Sequence, residues 1–154
     1  MLIRSYSIQD KQACLEVFSS NIPKFFAENE LDEFAIFLDS DTSTYLVVES
    51  EGKIYGCGGY YFRDGVGRLC WGMVKKDSHR SGFGSALITA RLNRLFIEHG
   101  VDIVAIDTSQ YSSGFFEHFG FRTENVSENG LAAGLHKYEM TLTKEVHFKL
   151  NPPV

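Results

Sequence analysis

Three strand-like segments follow one another through the middle of the chain. Thr44 to Glu49, Ile54 to Phe62 and Val66 to Val74 are rich in β-branched and aromatic residues, the types that suit a pleated, half-buried surface. The turn dipeptides Glu51-Gly52 and Asp64-Gly65 separate them, and Asp-Gly between two such runs is a strong hairpin signal. These segments therefore predict an antiparallel meander, with Gly56, Gly58 and Gly59 thinning the side chains of its second strand.

The pattern changes after Val74. A loop containing Gly82 and Gly84 leads into a helix whose face is marked by Ile88, Leu92, Leu95, Phe96 and His99, with Gly100 as its C-cap. Val101 to Asp107 is a compact strand, Ser112 to Phe119 a short helix closed by Gly120, and Phe121 to Val126 and Lys137 to Thr143 a final pair of strands around a loop, Ser127 to His136. Upstream, Leu2 to Tyr6 reads as a strand. A helix capped at Ser7, with Asp10 three positions on, then carries Ala13, Cys14, Val17 and Phe18 to Ser20. After Pro23, Phe25 and Phe26, Leu31, Phe34, Ala35 and Leu38 repeat at helical spacing. A meander followed by a strand–helix–strand unit implies an α/β (α+β) fold: a mixed, mostly antiparallel central sheet with helices on its faces.

The chain of 154 residues is 44% hydrophobic, enough for one core. We expect a single domain over 1–154, with its core at about 2–143 and a peripheral tail at 144–154 that ends near Pro152-Pro153. Fifteen basic against twenty acidic residues give a net charge of −5, which disfavours a nucleic-acid partner. Cys14, Cys57 and Cys70 form no CxxC pair and read as buried thiols. His99, His118, His136 and His147 make no HxxxH or HxH set, so no metal is expected. No signal-like N-terminus and no apolar run near the roughly 18 residues of a membrane span is present, and the expected location is cytoplasmic, with no membrane partner.

The segment from Val74 to Leu87 carries the chemistry. A strand ends, a glycine loop follows and a helix begins at once. Glycines let the backbone approach a ligand, and loop amides together with the first-turn amides of a helix favour an anion such as a pyrophosphate. Arg80 and Ser81 can add donors. On this fragment alone a tight strand–helix turn is the competing account. A P-loop would need a Gly-Lys-Ser/Thr ending, and a dinucleotide fingerprint would sit in the first βα turn of a parallel sheet; neither fits.

The run Val74-Lys75-Lys76-Asp77-Ser78-His79-Arg80-Ser81-Gly82-Phe83-Gly84 resembles the Gln/Arg-x-x-Gly-x-Gly/Ala motif of the GNAT superfamily of acyl-CoA-dependent N-acetyltransferases, with His79 in the Gln/Arg place. Phe115-Phe116-Glu117-His118-Phe119-Gly120-Phe121 is similar to a second motif of that family, in the right order and about one helix and one strand away. The likeness in strand order extends from Leu2 to about Thr143.

The resemblance implies a splayed pair of strands, Val66–Val74 and Val101–Asp107, in whose gap the pantetheine arm of acetyl-CoA pairs with backbone near Met73, Val74 and Lys75. It implies that His79, Arg80, Ser81, Gly82, Phe83, Gly84 and Ser85 hold the pyrophosphate, and that a backbone N–H at Met73 or Val74 polarises the thioester carbonyl. Ser109 stands where the family often has an Asn at the cofactor, and Phe116 where it often has a Tyr that protonates the leaving thiolate. Phe116 cannot donate a proton; Tyr111 is the nearby substitute. Ser109 and Phe116 are equally read as a helix cap and a core residue. Asp107 and, second, Glu49 are candidate bases, with water as a third route. The implied reaction moves the acetyl group of acetyl-CoA to a primary amine of a small molecule or amino-group substrate by direct attack in a ternary complex. Phe25, Phe26, Phe34, Phe37, Tyr60 and Tyr61, with the loop 127–136, are available to line the acceptor site. A non-catalytic acyl-CoA-binding or regulatory module is the alternative, and a homodimer is a compatible assembly.

Overall fold

The computed structural model describes residues 1–22, 24–26 and 28–152. Strand β1 (Leu2–Ser5) leads through a 3-10 turn into helix α1 (Lys11–Ser20), followed by α2 (Glu30–Leu38). Strands β2 (Tyr45–Ser50), β3 (Lys53–Arg63) and β4 (Val66–Val74) come next, then α3 (Phe83–Asn93). The chain closes with β5 (Ile103–Thr108), α4 (Ser113–His118), β6 (Arg122–Ala132), β7 (Leu135–Thr143) and α5 (Lys144–Leu150).

The seven strands form one sheet in the order β1-β2-β3-β4-β5-β7-β6. Its pairs β1–β2, β2–β3, β5–β7 and β6–β7 are antiparallel, and β4–β5 is parallel, in register from Val66↔Ile103 to Arg68↔Ala105. The mixed sheet and the β2-β3-β4 meander expected from the sequence are both present. The two turn dipeptides behave as their composition demands: Glu51 and Gly52 have φ of 51° and 76°, Asp64 and Gly65 of 52° and 79°. Both residues of each pair are left-handed, which matches the twist of a two-residue hairpin.

The structure revises three boundaries. α3 starts at Phe83 rather than Ser85, and the helix continues as a π-helical turn over Arg94–Glu98. The expected loop 127–136 is strand: β6 runs to Ala132 and β7 starts at Leu135. Most of β6 is exposed, so its ladder is held by backbone bonds without the apolar alternation that marks a half-buried strand. The register shifts between Ser127 and Ala132, with Asn129 left-handed at φ 54°. Finally, residues 144–150, expected as tail, form α5. The Thr143 hydroxyl caps it by accepting from the Val146 N–H at 3.2 Å.

The chain divides into two compact units. One comprises Met1–Tyr61 and Leu69–Asn93, the other Phe62–Arg68 and Arg94–Val154. The first unit is built on aromatic packing. Phe18 stacks on Phe26 at 4.6 Å and on Phe34 at 5.2 Å, and Phe34 lies 5.2 Å from Trp71. The fully buried Cys14, Val17, Val47 and Cys57 complete the cluster, against which Phe26 and Trp71 pack partly buried, each fully buried large apolar side chain contributing about 1.5–3 kcal/mol. All three cysteines are free thiols. In the second unit, Phe96 stacks on His147 of α5 at 4.7 Å. Gly67 leaves room for Leu95, whose Cδ2 would lie 2.9 Å from a Cβ there.

Candidate active site

The end of β4 is bent by one residue. Trp71 has φ 46° inside the strand. Its ring packs on Phe34, which packs on Tyr45. The preceding residue, Cys70, lies on the same side, since its Sγ and the Tyr45 ring both crowd the position a Gly59 Cβ would take. Two consecutive side chains on one face, with a left-handed residue, make a β-bulge. The Trp71 carbonyl accepts from the Tyr45 hydroxyl at 2.7 Å.

Beyond the bulge, the Lys75 N–H donates to the Tyr55 carbonyl at 2.8 Å. The Met73 carbonyl lies 3.0 Å from where a Gly56 Cβ would be. Met73 and Lys75 thus turn their backbone groups toward β3. Backbone groups alternate in direction along a strand, so the groups of Val74 turn to the opposite edge. Its carbonyl is already engaged: it accepts from Asn21 Nδ2 at 2.9 Å and pairs with His79 Nε2 at 2.9 Å. The Val74 N–H faces that same edge.

The loop that follows is stitched to its surroundings. The Ser78 N–H donates to the Lys75 carbonyl at 2.8 Å and the Lys76 N–H to the Ser20 hydroxyl at 3.0 Å. The Ser81 hydroxyl donates to the Ser78 carbonyl. Arg80 and Gly82 are left-handed, with φ 67° and 89°, and a Cβ on Gly82 would meet nothing within 4 Å. The loop backbone is therefore bare at this point. The Ala86 N–H donates to the Gly82 carbonyl at 3.1 Å, so the N–H groups of Phe83, Gly84 and Ser85 precede the first helical bond. They are the orphan donors of α3, at the positive end of its dipole. Tyr55 stacks on Phe83 at 4.9 Å and fixes where the helix starts. A bare loop, orphan amides and the Arg80 side chain suit a diphosphate.

The other candidates lie in the second unit. Asp107 is paired with Arg68 at 3.4 Å, both side chains more than a third exposed. The buried Ser109 opens the turn into α4: its hydroxyl accepts from the Tyr111 N–H at 3.2 Å, and its carbonyl accepts from Ser112 and Ser113. Tyr111 is half exposed. Phe116 is buried, with Phe115 and Phe121 edge-on at 5.3 and 5.5 Å. In the first unit, Glu49 is held by Arg4 at 3.2 Å. Of the aromatics considered for an acceptor, Phe34 and Tyr60 are buried, whereas Tyr61 is exposed and Phe25 packs edge-on to His79 at 5.2 Å. Among the described residues no cluster of His, Cys, Asp or Glu suits a metal, and no helix is long and apolar enough to cross a membrane.

The family model described as acetyltransferase (GNAT) domain matches residues 7–144. The chain belongs to the GNAT acetyltransferase family. Solved structures agree on the fold. The ribosomal-protein-alanine N-acetyltransferase of Brucella melitensis is 19% identical, with 93% of this chain and 99% of that one covered at a TM-score of 0.76. The ribosomal-protein-S18-alanine N-acetyltransferase of Escherichia coli is 17% identical, with 92% of each chain covered, also at 0.76. A Mycobacterium tuberculosis protein solved in complex with CoA is 17% identical, with 93% and 99% covered, at 0.75. No curated protein sequence matches.

Two residues of this GNAT chain escaped the sequence reading. Asn21 is buried and donates both to Val17 and to Val74, tying the end of α1 to the bulged strand. Arg91 is buried on the inner face of α3 with Leu87, Ile88 and Leu92. An arginine four residues after a core leucine was the available signal.

Proposed function

We propose that this GNAT protein transfers the acetyl group of acetyl-CoA to a primary amine of a small molecule or amino-group substrate by direct attack in a ternary complex. The observation that carries this is the segment from Val74 to Ser85, where one strand-edge N–H is followed by a bare loop and three orphan helix amides. In this reading the N–H groups of Phe83, Gly84 and Ser85, with Arg80 and Ser81, hold the diphosphate of the coenzyme. His79 and Asn21 hold Val74 so that its N–H addresses the thioester carbonyl. The pantetheine arm runs along the β4 edge at Met73, Val74 and Lys75.

The acceptor must lose a proton before attack, since an alkyl ammonium titrates near ~10.4. Asp107 is engaged by Arg68, so water is assigned the first proton-accepting role and Asp107 the second. A thiol titrates near ~8.5, so the sulfur departs more readily than the amine, and Tyr111 is the candidate that reprotonates it. Two structural relatives are ribosomal-protein-alanine N-acetyltransferases, so peptide α-amino groups belong in any acceptor panel beside small amines. Release of CoA thiol from acetyl-CoA across that panel tests the reading, and saturable, amine-dependent release is expected. The second reading, a non-catalytic acyl-CoA-binding module, is favoured by Phe116 in the place of a Tyr. CoA binding with no thiol release from any amine would establish it instead.

A further inference from the structure

Arg91 is the one charged side chain in the buried stripe of α3. It is 3% exposed and forms no ion pair among the described residues. Nε donates to the Leu87 carbonyl at 3.4 Å and one terminal nitrogen to the Gly59 carbonyl at 3.3 Å. Both bonds are long. The guanidinium lies where side chains of Gly58 and Gly72 would be, 3.0 Å from each absent Cβ. Two glycines on adjacent strands thus make a dimple that the planar cation fills. Burial lowers its pKa to about 10, which leaves it charged at neutral pH.

A buried cation without a carboxylate is destabilising, and an apolar residue of similar size is often more stable there. The site around Arg91 is therefore poor for folding alone. Its position suits chemistry. Gly72 follows the bulge residue Trp71 directly and precedes Met73 and Val74, so the charge sits behind the strand segment whose N–H faces the open edge. The place of the usual proton donor is held by Phe116, which supplies no proton.

We propose that Arg91 is an electrostatic positioning residue of the acetyl transfer: acting through the β4 backbone at Gly72, its fixed charge stabilises the negative charge that develops on the thioester. This rests on the transferase reading above. The amine lone pair forms the N–C bond as the carbonyl π pair moves to oxygen. That pair then restores the C=O bond, and the C–S bond breaks with its electrons on sulfur. The nitrogen proton goes to water. Negative charge thus passes from oxygen to sulfur, and Arg91 favours it at both, doing by charge what a tyrosine would do by proton donation.

The test uses the intact protein and three variants. Arg91→Gln keeps a donor and loses the charge, Arg91→Met removes both, and Arg91→Lys restores a cationic group that burial pushes toward its neutral form. CoA affinity should stay within about twofold in all three, because the diphosphate loop is untouched. The thiol of bound CoA, titrated by thiolate absorbance, should have a pKa about one unit higher in Arg91→Gln and Arg91→Met than in wild type. Their kcat should fall roughly 10- to 100-fold, with unchanged or raised melting temperature, and Arg91→Lys should recover part of both. A bound thiol that titrates alike in wild type and Arg91→Gln would overturn the proposal, as would full activity in Arg91→Gln. Failure of the transferase reading is separate: wild type would then release no thiol with any amine.

Discussion

Asp10 is a small case of a charged residue whose surroundings decide its contribution. Its carboxylate accepts from both terminal nitrogens of Arg4 at 2.8 and 2.9 Å, and from the Ser7 N–H at 2.8 Å. The hydrogen-bonded Arg4 guanidinium, with the Ser7 N–H, holds it below the usual carboxylate range against the opposing effect of burial. A carboxylate with a lowered folded pKa binds fewer protons folded than unfolded. Its stabilisation is complete above the unfolded value of ~3.9 and is lost as pH falls through the folded value. Asp10→Asn should cost on the order of 1–2 kcal/mol at pH 7, and the wild-type advantage should vanish in strong acid; urea midpoints at pH 7 and in acid measure both. Ser7 and Asp10 at capping spacing made this cap legible from the chain. The partner Arg4 was not, because the contact crosses from a strand to a helix start. Helical spacing signals that Arg91 faces the core, but its surroundings are glycines on two other strands, which no helical spacing reports.

At the scale of elements, α5 and the start of α3 carry the clearest tests. His147 is 4% exposed and its Nδ1 has no hydrogen-bond partner among the described residues, and burial lowers its pKa. The unfolded chain then takes up a proton first as pH falls below ~6.5, so stability should decline through that range until the folded form also protonates. Denaturation midpoints at pH 7.5 and 5.5 should differ in wild type, and His147→Phe, which keeps a ring against Phe96, should flatten the difference. α5 was missed in the sequence because its length is short and its burial rests on one histidine. At the start of α3, Gly84→Glu should place a carboxylate among the orphan amides and raise the Kd for CoA at least tenfold in a protein that still folds; isothermal titration decides it. The glycines and the following apolar face made this loop readable. The β-bulge before it was not readable, since nothing in the run Cys70-Trp71-Gly72 specifies a left-handed tryptophan until the Phe34 and Tyr45 rings claim it.

For the whole molecule, a ligand that binds only the folded form stabilises it by mass action. CoA at one hundred times its Kd should add about 2.7 kcal/mol and raise the melting temperature, whereas desulfo-CoA, which keeps the diphosphate, should do nearly the same. No shift with either would remove the assignment of the glycine loop. The order of the elements from β1 to β7 was available from the chain, because hydrophobic period and turn dipeptides are local signals, and so was the segment that carries the GNAT motif. The roles within that segment were not. Which carbonyl is taken, which amide remains facing the β4 edge, and which cation lies behind it all depend on residues far apart in sequence, Asn21, Tyr45, Gly58 and Arg91 among them. Local propensity speaks for neighbours along the chain; hydrogen-bond direction and buried charge are set by neighbours in space, and only the folded sheet brings those together.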